Sequence, residues 1–200
     1  FEQMKLRMLN GSHSALAYLG YLAGHETVSD TVADPAFTAY VHQLWGEIMP
    51  VVRAPQGFDL HGYAQALMER YANPKIRHRT WQIAMDGSQK LPQRLLSSLE
   101  ANIAAGKPAP GLCLAVAAWM YYVGGIDQSG RPIEVKDPMA ERLRALSDAA
   151  NTPADKVAAL LSLSEIFPPE LAETLKAPVT EAAQILWTQG ARQAALQVVT

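Results

Sequence analysis

The sequence predicts an all-α fold, and three observations carry that prediction. Apolar residues recur at helical spacing through most of the 200 residues. Asp-Pro or Thr-Pro pairs stand before several of these runs, at Asp34-Pro35, Asp137-Pro138 and Thr152-Pro153. Such a pair joins a capping side chain to a φ already set for a first helical turn. No segment alternates with period two while rich in β-branched residues, apart from the short RPIEVKD at residues 131–137.

The elements follow in order. Residues 4–23 carry apolar positions at helical spacing and stop near Gly24. A second helix opens at Asp34 and a third at Asp59, each with its aspartate as N-cap. Asn73-Pro74 reads as the start of another, ended by Asp86-Gly87, with Ser88 capping the next. LPQRLLSSLEANIAAG and the apolar GLCLAVAAWMYYVGG are helical runs. GGIDQSGRPIEVKDP is the longest break and reads as an irregular loop, with Asp127, Glu134 and Asp137 as turn and cap residues. Helices then open at Asp137 and Thr152, followed by PPELAETLKA and VTEAAQILWTQGARQAALQVV. The count is roughly nine helices joined by short turns, in a single domain spanning residues 1–200.

Bulk properties exclude several function classes. A net charge of -2 and a pI near 6.2 point away from nucleic acid and from anionic membrane surfaces. The longest apolar run is too short for the roughly 20 residues that span a bilayer. Cys113, alone, permits no internal disulfide and no cysteine-based zinc site, and fits a reducing, cytoplasmic setting. His25, His42 and His61 have no partner at ligand spacing, so no metal site is expected. Trp119, Met120, Tyr121 and Tyr122 read as core packing, and Cys113 as a small buried hydrophobe. Phe1 stands where an initiator methionine would, and no signal or transit peptide follows, so the chain is read as a piece of a longer one.

The chemistry-bearing stretch is KLRMLNGSHS, residues 5–14. On a straight α-helix His13 lies about 80° and Asn10 about 140° around from Lys5, with a rise of about 12 Å from Lys5 to His13. The three line a strip. A lysine can act as acid or base, an asparagine amide can donate to a developing alkoxide, and a histidine can hold a hydroxyl. On pattern alone they serve equally as surface polar residues.

KLRMLNGSHS resembles the K-x-x-x-x-N-x-x-H signature of the polyol-specific long-chain dehydrogenases, the mannitol dehydrogenase and hexuronate reductase family. MKLRMLNGSHSALAYLGYLAG, NPKIRHRTWQIAMDGSQKLPQRLL and YVGGIDQSGRPIEVKDP resemble that family's C-terminal domain, in the same order and across essentially the whole chain. The resemblance implies that Lys5 is the catalytic acid/base, that Asn10 steadies the oxyanion and that His13 positions substrate. It implies a multi-helix substrate domain that works with an N-terminal Rossmann-type domain binding NAD. No G-x-G-x-x-G occurs here, so the Rossmann domain is expected to be absent from the chain. Gly20 and Gly24 read instead as close helix packing.

A second cluster, Lys75, Arg77, His78, Arg79 and Lys90, is cationic. Lys75 and Arg77 read as a solvated face. The resemblance implies that Lys90, Arg79 and His78 line the substrate cleft, where a sugar acid's carboxylate favours an arginine or lysine partner. Gln82 stands where the mannitol branch of the family carries arginine, so the segment is more similar to the hexuronate branch. The expected activity is NAD-dependent interconversion of a keto sugar acid and its reduced form, fructuronate and mannonate. Two alternatives stand beside it: a polyol dehydrogenase acting on fructose and mannitol, and a helical binding or assembly module without activity.

Overall fold

The N-terminal periodicity folds as one unbroken helical run in the computed structural model, which describes residues 1–199. The run has three parts: α1 (Glu2–Met4), a π-helical stretch (Lys5–Asn10) and α2 (Gly11–Leu22). Gly24, at φ 88°, turns the chain out of α2 in a conformation that costs glycine little. Thr27 and Asp30 then form a capping box that starts α3 (Val28–Ala33), an element the periodicity does not separate from its loop. A Cβ on Gly20 would lie 2.3 Å from Thr31 Oγ1, so Gly20 is the close-packing glycine expected. Gly24 has nothing within 4 Å of such a Cβ; its role is the turn, not packing.

Asp34 caps α4 (Pro35–Ile48), accepting from the Ala36 amide at 2.9 Å, and Asp59 caps α5 (Leu60–Ala72) through the Gly62 amide at 2.9 Å. The helix expected after Asn73-Pro74 starts later. Residues 73–79 run as turn and extended chain, and α6 (Thr80–Ile83) begins where Thr80 donates to the His25 carbonyl at 2.9 Å. Asp86, at φ 58°, begins α7 (Gly87–Leu91), which continues through a π-helical Pro92–Leu96 into α8 (Ser97–Ala104). Ser88 is buried inside α7, not its cap.

At the centre lies α9 (Pro110–Val123), buried around nearly its whole circumference, Trp119 and Tyr122 included. It packs against α2, α4, α8 and the C-terminal helices. Those are α10 (Ala140–Asp148), α11 (Pro153–Leu161), α12 (Pro169–Gln189) and α13 (Ala191–Val198). α10 starts at Ala140, not at Pro138: residues 138–139 form a turn whose Met139 amide donates to the Asp137 carboxylate at 2.9 Å, and the same carboxylate accepts from Ser88 N at 2.9 Å and Ser88 Oγ at 2.6 Å. α12 runs straight through Pro178, where two helices were expected. Leu171, Leu175, Val179, Ala182 and Leu186 stay in phase across the proline, and their burial outweighs the roughly 3 kcal/mol that an interior proline costs. The break falls at Gly190, φ 88°, within what the pattern reads as one helix. Residues 131–137 form no strand; the loop carries one isolated bridge, Ile126 with Pro132.

Candidate active site

The π-helical stretch contains Lys5 and Asn10 and ends one residue before α2 carries on to His13. Widening the ring from i→i+4 to i→i+5 leaves main-chain carbonyls in need of other donors, and π-turns recur at functional sites. Here the donors are side chains. The Met8 carbonyl accepts from Trp45 Nε1 at 3.1 Å and from Ser12 Oγ at 2.5 Å. The Leu9 carbonyl accepts from the Tyr71 hydroxyl at 2.9 Å, and that hydroxyl also pairs with Ser12 Oγ at 2.8 Å. Ser12, Trp45 and Tyr71, from α2, α4 and α5, thus hold the distortion in place. The wider turn brings Asn10 closer to the azimuth of Lys5 than the roughly 140° of a straight α-helix.

His13 is built into an aromatic stack. Its ring lies parallel to Tyr71, centroids 5.5 Å apart and 4° between planes, and Tyr71 lies 6.3 Å from Trp45. His78 meets His13 edge-on at 5.0 Å. This packing leaves His13 Nε2 buried with no hydrogen-bond partner among the described residues. Burial pushes the His13 pKa down to about 3, helped by His78, Arg94, Arg70 and Lys90. The imidazole is therefore neutral at ordinary pH.

The surroundings are cationic. Burial lowers the Lys90 pKa, and Arg94 lowers it further, against the opposing pull of Asp86. Burial and then Arg70 lower that of His78. The ion pairs among the described residues all lie elsewhere: Arg131–Asp127, Lys136–Glu134, Arg142–Glu165, Arg144–Asp148 and Arg192–Asp34. Arg70, Lys90 and Arg94 form no ion pair among the described residues, although Asp86 bears on Lys90 from a distance.

Of the residues singled out from sequence, His13 and His78 meet ring to ring, and Lys90 lies within electrostatic reach of His13. Lys5 is exposed and Asn10 half-buried, and neither side chain has a hydrogen-bond partner among the described residues. Arg79 stands apart. Its side chain is exposed, while its backbone bridges to Thr27 and leads into α6. Lys75 and Arg77 are exposed, as a solvated face requires.

Sequence reasoning misses Arg94, Arg70 and Tyr71. For Arg94 a signal exists: it stands four residues after Lys90, with Pro92 between them to disturb the helix. Arg70 and Tyr71 end an ordinary amphipathic helix and give no such signal.

No strand-to-helix phosphate turn lies among the described residues.

Known proteins resemble this chain closely. The family model for the mannitol dehydrogenase C-terminal domain matches residues 1–187. The D-mannonate oxidoreductase of Escherichia coli K12 is 50% identical over 196 residues, 96% of this chain and 40% of that protein. A mannitol 2-dehydrogenase of Aspergillus fumigatus is 40% identical over 173 residues, 86% of this chain and 34% of that protein. The solved ternary complex of Pseudomonas fluorescens mannitol 2-dehydrogenase with NAD and D-mannitol superimposes with a TM-score of 0.91 at 32% identity, covering 98% of this chain and 40% of that one. The chain thus spans between about a third and two-fifths of the length of these relatives. With its helical fold and with matches along nearly its whole length, the chain belongs to the mannitol dehydrogenase C-terminal domain family.

Proposed function

We propose that this chain is the substrate-binding and proton-transferring part of an NAD-dependent oxidoreductase that interconverts fructuronate and mannonate. NAD, carried by an N-terminal Rossmann-type domain of the same polypeptide, supplies hydride chemistry when bound. Lys5 moves the proton. Its ammonium gives a proton to the carbonyl oxygen in reduction, and its neutral amine takes one back in oxidation. The Asn10 amide donates to that oxygen as charge develops. Neutral His13 offers the unpartnered Nε2 to a substrate hydroxyl. Lys90 and His78, with Arg79 at the rim, bind the rest of the sugar. The setting is cytoplasmic.

One observation carries the sugar-acid reading. The cations around His13 form no ion pair with a carboxylate among the described residues. The E. coli relative, named for a sugar acid, supports it. The test is a substrate panel on the full-length polypeptide with NADH or NAD, setting fructuronate and mannonate against fructose and mannitol. A strong preference for the acids is expected. A strict preference for the uncharged sugars defeats the reading in favour of a polyol dehydrogenase.

A further inference from the structure

The guanidinium of Arg94 has no ionic partner among the described residues. It sits on the π-helical Pro92–Leu96, which packs directly on the π-helical Lys5–Asn10. The approach is close: a Cβ on Gly11 would lie 2.6 Å from the Arg94 carbonyl oxygen. The side chain reaches along α2 to donate from Nη1 to Ser14 Oγ at 2.9 Å, and Ser14 is itself buried. Ser14 occupies one of five N–H donors in a rigid planar fork. A half-buried guanidinium with most donors free and no counter-charge is unfavourable unless something anionic arrives.

We propose that Arg94 receives the carboxylate of the sugar acid and so sets the preference for acids over neutral polyols. The proposal rests on the sugar-acid reading above. Its neighbours are less suited to the task. Lys90 is a point charge already drawn by Asp86, and Arg79 is exposed and outside the cluster. An arginine fork matches both carboxylate oxygens, which a lysine cannot do. Burial strengthens the attraction by excluding the water and salt that screen it. The effect of Arg94 on His13 places its charge within electrostatic reach of the group that positions substrate.

The test uses the full-length enzyme carrying Arg94→Lys and Arg94→Met, with Lys5→Ala as control. Both Arg94 variants should raise KM for mannonate by about ten- to a hundredfold, the range expected for lost charged hydrogen bonds. kcat should stay within a few fold, and the Ki of mannitol as a competing neutral polyol should not move. Added guanidinium ion should restore part of the affinity to Arg94→Met. An unchanged KM, an equal loss for mannonate and mannitol, or a loss confined to kcat overturns the proposal. If Arg94→Met does not fold, Arg94→Lys alone decides by the same criteria. Turnover by Lys5→Ala at the parent rate would instead overturn the site reading itself. Loss of turnover in Lys5→Ala with a negative Arg94 result overturns the carboxylate role alone.

Discussion

At the scale of single residues, His13 is the most distinctive group. Its pKa of about 3 lies below the 6.5 of a free histidine, chiefly because the Tyr71 stack and His78 bury it. Between those two values an unfolded chain binds a proton that the folded one refuses, so stability falls as pH drops through that window and is independent of His13 above it. A His13→Gln variant should therefore flatten the acid side of a urea-midpoint profile between pH 6.5 and about 3. Direct NMR titration offers a second check, since the imidazole should remain neutral at pH 5. A midpoint near 6.5 contradicts the burial argument. Lys5, Asn10 and His13 were legible in the sequence as candidates, but only resemblance lifted them above surface polar residues. The His13–His78 contact was not legible, because it joins positions far apart in the chain and His78 lies in the non-helical stretch 73–79.

At the scale of elements, two π-helical stretches lie against each other and place Lys5, Asn10 and Arg94. Gly11 sits at their contact. Gly11→Ala should cost about 1–3 kcal/mol by overpacking against the Arg94 carbonyl and should lower turnover in the full-length enzyme; thermal unfolding and a rate assay check both. Tyr71→Phe removes the hydroxyl that serves Leu9 and Ser12. It should cost about 1 kcal/mol in denaturant titration while leaving the aromatic stack in place. Helix type and position were mostly legible, since Asp34, Asp59 and Thr152 cap where their side chains predict. The π-turns were not, because their cause is tertiary: Trp45 and Tyr71 reach the Met8 and Leu9 carbonyls from other helices. The second task of Asp137 was not legible for the same kind of reason: its carboxylate serves the local Met139 amide and also Ser88, from a distant helix.

At the scale of the whole molecule, α9 is the axis on which α2, α4, α8 and the C-terminal helices pack, and its start has no local cap. Ala109 precedes it, and its first free amides are satisfied by Glu47 of α4, which accepts from Gly111 at 2.8 Å and Leu112 at 2.9 Å. Burial raises the Glu47 pKa, and the bonds from Gln43, Gly111 and Leu112 oppose that rise. Glu47→Ala should cost about 1–3 kcal/mol for each buried donor left unpaired, and Glu47→Gln clearly less, since an amide oxygen still accepts. Equal midpoints for the two variants in chemical denaturation would contradict the capping role. The apolar character of α9 was plain in the sequence. Its dependence on Glu47, more than sixty residues earlier, was not, since nothing local distinguishes that glutamate from a solvated one.

On the proposed function, the face bearing Lys5 is where the sugar's oxygen exchanges its proton. This assignment is tested most directly by the turnover number of Lys5→Ala in the full-length polypeptide, at saturating sugar acid and cofactor, with NADH binding measured alongside. Turnover should fall by about 10²–10⁴ while NADH affinity is retained. Turnover within a few fold of the parent would contradict it.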